Sequence, residues 1–192
     1  MARLIYLFFL SFLCFAHIAK AQEKWERESR IPASLVPAKA KQFLDSISGK
    51  SKLKWFREES LADTSFEAKF TFHKRRYSVE FSKYGIIEDV EVYMEWEQLS
   101  ESLRKSIEQV FQQNCLRFKV EKLQVQYSGS HSALIRLFTD NQLATNLERH
   151  YEIIVKCTQK GSIDLFEYLF DDQIKSYKAS KIVFKNSSHL EY

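Results

Sequence analysis

The sequence predicts an α+β fold: a tandem repeat of one helix followed by antiparallel β-strands, with the helices packed on one face of the sheet. Three observations carry this. Phe66, Ala68, Phe70 and Phe72 alternate with Glu67, Lys69 and Thr71, and Tyr77, Val79 and Phe81 alternate with Arg76, Ser78 and Glu80; period-two alternation makes a strand with one apolar and one wet face. Apolar residues recur at helical spacing in two stretches, Val36–Ala40–Phe43–Leu44–Ile47 and Leu99–Leu103–Ile107–Val110–Phe111–Cys115. The order helix, strand, hairpin strands then occurs twice. One helix on four strands buries little, and two copies together can share a core.

In chain order, residues 1–21 read as a removable export signal. Arg3 gives the positive start, Leu4 to Phe15 is uncharged and apolar, and Ala19-Lys20-Ala21 puts small residues where a signal peptidase cuts. The apolar run is shorter than the roughly 20 residues a membrane-crossing helix needs, and no second one follows. Residues 22–30 (QEKWERESR) form a polar leader. The first repeat covers 31–97. Pro37 suits a first helical turn, and Gly49 is placed to end the helix. Lys52–Glu59, Phe66–Phe72, Tyr77–Phe81 and Val90–Met94 follow as strands, joined by the short links His73-Lys74-Arg75 and Ser82-Lys83-Tyr84-Gly85. The second repeat covers 98–175. Ser100 is its N-cap, with Glu101 in the first turn; strands at Leu123–Tyr127, Tyr151–Cys157 and Leu165–Phe170 follow. Between Gly129 and Glu148 the segment SALIRLF reads as an additional strand, or as the copy's second strand with a long loop. Residues 176–192 are a polar tail with one short apolar run, Ile182-Val183-Phe184.

Composition narrows the function classes. Formal net charge is +4, of which the signal holds Arg3 and Lys20, and both signs are mixed throughout. No basic stripe marks a nucleic-acid partner. Export places the mature chain outside the cytoplasm, in the periplasm or secreted, away from ATP, nicotinamide pools and genomes. Of the two cysteines left after processing, Cys115 and Cys157 form one disulfide or stay apart as two small buried residues.

No constellation for catalysis, cofactor or metal is readable. His73, His131, His150 and His189 are far apart, and none stands at ligand spacing from another His or Cys. No Gly-x-Ser-x-Gly elbow is present, and nothing predicts a carboxylate in a dry pocket. Asp89, Glu91 and Glu95 fall in a row on the wet side of one strand, where Lys69 and Arg76 can oppose them across the sheet. Tyr93 lies among them, and an aromatic residue on a polar face is what a protein-binding surface presents. Trp96, just beyond, reads as a joint between the two copies. The candidate partner-binding residues are therefore Tyr93, Glu91, Glu95, Asp89, Lys69 and Arg76.

Phe66-Glu67-Ala68-Lys69-Phe70, Tyr77-Ser78-Val79-Glu80-Phe81, Gly85 and Glu88-Asp89-Val90-Glu91, with Ile31-Pro32 and Lys54-Trp55 ahead of them, resemble the pattern of the PepSY-like exported bacterial proteins. The repeat of that family is related in structure to the beta-lactamase inhibitor protein. The second copy matches more weakly, through Tyr151-Glu152-Ile153 and Phe166–Asp171. The resemblance implies tandem sheets with helices on one face and a binding or inhibitory role; it transfers no functional residue. The expectation is an exported, non-enzymatic module that contacts an unidentified protein or peptide through an open sheet face. Alternatives are a periplasmic peptidase inhibitor, a small-ligand carrier and a hydrolase.

Overall fold

The computed structural model describes residues 22–47, 49–139 and 146–184; the expected export signal lies outside the described residues. Nine strands run β1 (Gln22–Ile31), β2 (Ser51–Ser60), β3 (Thr64–Phe72), β4 (Arg75–Ser82), β5 (Ile87–Tyr93), β6 (Arg117–Ser128), β7 (Glu148–Gln159), β8 (Ser162–Asp171) and β9 (Tyr177–Phe184). Each pairs antiparallel with the next, and β1 pairs in parallel with β9, from Gln22↔Ser180 to Glu26↔Phe184. The sheet is a closed barrel.

Closure overturns the expected fold class. The sheet is not an open layer with helices on one face and a bare face opposite. Both edges that an open sheet would leave are joined by β1, whose residues 22–30 were expected to form a loose leader. The polar tail likewise supplies β9. Neither strand carries the full oily alternation on its outward positions: Glu23, Arg27 and Ser29 take them in β1 beside Trp25, and Lys181 stands between Ala179 and Val183 in β9.

Among the described residues three helices pack against the outside of the barrel: α1 (Ala38–Asp45), α2 (Glu101–Asn114) and α3 (His131–Thr139). α1 starts after Pro37, and α2 is capped by Ser100, whose hydroxyl accepts from the Leu103 N–H at 3.3 Å. SALIRLF, expected in a strand, belongs to α3. Ala133, Leu134, Leu137 and Phe138 share one helical face, and Ser130 accepts from the Ala133 N–H at 3.3 Å. The helix-forming Ala133, Leu134, Arg136 and Leu137 thus follow their capping serine into a helix.

The oily residues form two cores, both lying between helix and barrel wall. In the first, Phe43 and Leu44 of α1 and Leu134 of α3 meet Trp55, Phe70, Val79 and Phe81. In the second, Ile107 and Phe111 of α2 meet Leu123, Ile153, Tyr168 and Phe170. Gly85 (φ +72°) sets the distance between α1 and the β4–β5 turn, since a Cβ there would lie 2.8 Å from Pro37 Cβ and 2.9 Å from the Ala40 nitrogen. Cys115, capping α2, is bonded to Cys157 of β7 with S–S 2.06 Å, which decides between the two readings of that pair.

Candidate functional site

With the oily side chains facing out to the helices, the alternate residues of every strand face the barrel interior. The interior is charged. A cavity of about 60 Å³ is lined by eight glutamates and three lysines, with Ile154 and Ile182 as apolar relief. Its size admits a few water molecules, each needing about 10–15 Å³, and no substrate-sized ligand.

The lysines organise these carboxylates. Lys69, almost fully buried, donates to Glu28 and also lies 3.1 Å from Glu67, which accepts from the Ser78 hydroxyl. Lys24 sits 2.6 Å from Glu167 and 3.1 Å from Glu26. Burial by itself would lower the affinity of these ammonium groups for their protons. The carboxylates of Glu167 and Glu26 around Lys24, and of Glu67 and Glu28 around Lys69, outweigh it and keep both charged. Lys122 lies 3.7 Å from Glu152.

Three lysines stand among eight glutamates, and burial raises several carboxyls of the interior. Burial, aided by the Glu67 carboxylate, raises Glu58 well above the usual range; burial with Glu80 does the same for Asp89. Glu80 and Glu167 are pushed up to about 7, again first by burial. Glu91 is raised by burial and by Glu152. Glu152 is held low because Lys122 and Lys24 override its own burial. The hydrogen bond between the two side chains acts in the same sense, raising Glu91 and lowering Glu152.

This pair is a dry carboxyl arrangement that no local pattern in the chain announces. Its members lie far apart in the chain, and only the β5–β6–β7 register aligns them: Glu91 opposite Gln126, and Gln124 opposite Glu152. The two groups bond directly to each other in a water-sized cavity. Glycoside hydrolysis needs about 5 Å or more between two carboxyls to admit the bond being broken. Nor does the cluster of Glu28, Glu58 and Glu67, whose oxygens lie within 4.8 Å of one another, invite a hard cation: the Lys69 ammonium already stands against Glu28 and Glu67.

The six candidate contact residues divide accordingly. Asp89, Glu91 and Lys69 are buried in the barrel, and Asp89 accepts from the Gln126 amide at 3.0 Å. They form no open face, because closure turned the wet side of the sheet inward. The other three meet at the end of the barrel where β5 runs out. The Arg76 guanidinium stacks over the Tyr93 ring at 3.4 Å, and the Tyr93 hydroxyl donates to Glu95 at 3.0 Å.

Here the wall has a seam. β6 pairs with β7 along its whole length, whereas β5 covers only Gln124–Ser128. After the Met94 N–H donates to the Leu123 carbonyl at 3.0 Å, the chain leaves the sheet into a short 3-10 turn, Trp96–Gln98. Between that departing segment and Phe118–Leu123 opens a groove of about 360 Å³. Tyr93, Met94, Trp96, Phe118 and Val120 give it an apolar and aromatic lining, with Glu95, Glu97, Lys119 and Glu121 along it. Trp96, expected as a joint between the copies, packs against the second core and also lines this groove.

No helix among the described residues is long and apolar enough to cross a membrane. No family model, curated protein or solved structure matches this chain. The function has to be argued from the geometry above.

Proposed function

We propose that this protein is an exported, non-enzymatic module that binds a protein or peptide in the groove between Tyr93–Glu97 and Phe118–Leu123. The observation that carries the reading is the groove itself: it combines aromatic side chains with a stretch of β6 that β5 leaves uncovered on its side. Aromatic residues ringed by polar ones are the composition of binding hot spots. The barrel interior is the larger chemical feature, but it is filled by its own ion pairs and is water-sized. The export signal read in residues 1–21 and the Cys115–Cys157 bridge fit an oxidising compartment outside the cytoplasm.

The test is selection of binders from a random heptapeptide library on the immobilised mature chain. The selected peptides are then titrated against the Tyr93→Ala/Glu95→Ala variant. Binding should weaken at least tenfold, with the melting temperature within about 2 °C of the parent, as expected for surface substitutions. Peptides that bind the variant equally well would place recognition elsewhere on the molecule.

A further inference from the structure

We infer that the groove takes an extended peptide segment of a partner polypeptide, which adds to the barrel as a short strand against the free edge of β6. This rests on the binding reading above and specifies its chemistry. In a strand, successive residues turn their N–H and C=O groups to opposite sides. Leu123 faces β5, since its carbonyl accepts from the Met94 N–H. The bulge between Val120 and Lys122 inserts one extra residue and shifts the alternation. Val120 and Phe118 are therefore the residues that turn their main-chain groups to the β5 side, where β5 has already ended.

Both residues line the groove, and no backbone hydrogen bond from either to the β5 side is found among the described residues. An unpaired strand edge is a template for another chain, and main-chain pairing along such an edge is an established way of holding extended peptides. The occupant follows from the lining. Main-chain groups of Phe118 and Val120 call for an extended backbone. Met94, Trp96 and Phe118 call for an apolar or aromatic side chain at alternate positions of it. The mixed charges of Glu95, Glu97, Lys119 and Glu121 select no strongly charged ligand.

Two measurements decide, both made on the intact mature chain with the library-selected heptapeptides. The first is amide hydrogen exchange: the Phe118 and Val120 amides should exchange at least tenfold more slowly with peptide bound. The second is N-methylation of the peptide amides one at a time. Methyl groups at alternate positions should each weaken binding at least tenfold, while those between them do little. A peptide that needs Tyr93 and Glu95 yet leaves both amides unprotected and tolerates every N-methyl group overturns strand addition while leaving the groove reading intact. Peptides indifferent to Tyr93 and Glu95 overturn both. Concentration-dependent dimerisation that protects the same two amides without peptide would replace the partner segment by a second copy of this chain and overturn the inference.

Discussion

Lys69 shows how single residues hold a charged interior together. Its ammonium is shared between Glu28 and Glu67, all three being nearly fully buried. The pairing itself adds little stability over an apolar filling of the same shape, but removing one partner strands the others. Lys69→Met should therefore cost about 3–5 kcal/mol in urea titrations at pH 7.5. A loss below about 1 kcal/mol would mean that water reaches these carboxylates and screens them. The same residue marks a limit of sequence reading. Lys69 and its neighbours Asp89 and Glu91 alternate with oily residues as surface charges do, and nothing local distinguishes a solvated face from one rolled inward.

At the scale of elements, the cysteine bridge ties the end of α2 to β7 across 42 residues. A closed loop of that length restricts the unfolded chain by roughly 4 kcal/mol in the chain-entropy account. The Cys115→Ala/Cys157→Ala variant should unfold at correspondingly lower urea concentration, by about 3–4 kcal/mol, with the far-ultraviolet spectrum of the native protein unchanged. An unaltered midpoint would show that the reduced, unfolded chain is already compact there. Helices α1 and α2 were legible because their stripes and start signals are local. α3 was not, because Leu134-Ile135 and Leu137-Phe138 suit strand or helix equally, and a short apolar run cannot be assigned by period alone.

For the whole molecule, closure and pH response are linked. Glu80 and Glu167 have folded values raised to about 7, and Glu58, Asp89 and Glu91 are shifted in the same direction. A carboxyl raised on folding stabilises the native state fully below its unfolded value near 4.5, and that contribution is lost as pH rises through its folded value. Asp171, lowered to about 2 by the Ser176 hydroxyl and nearby N–H groups, and Glu152 act oppositely, losing their contribution as pH falls below about 4. Calorimetry from pH 3 to 8.5 should find the highest melting temperature near pH 5, with a decline towards pH 8. A melting temperature that climbs from pH 5 to pH 8 would mean that the interior carboxyls ionise without penalty. Removing residues 22–31 should have a related effect. Without β1, the edges of β2 and β9 and the charged interior are all exposed. The shortened chain should melt lower and self-associate in sedimentation, and a monomer of native stability would refute the closing role of β1.

The sequence by itself determined which residues are oily and at what period. That was enough to place seven of the nine strands and two of the three helices among the described residues, and to group Tyr93, Glu95 and Arg76 with Asp89, Glu91 and Lys69, three that the barrel buries instead. Only the tertiary structure decided that the sheet closes, that its wet side faces inward, that Glu91 meets Glu152, and that β5 stops short of covering β6. The reason is physical. Alternation is a local property of a strand and records which side chains shun water. Curvature, closure and register depend on pairing between segments far apart in the chain, and here the two strands that complete the ring carry charges where an oily signal would have announced them.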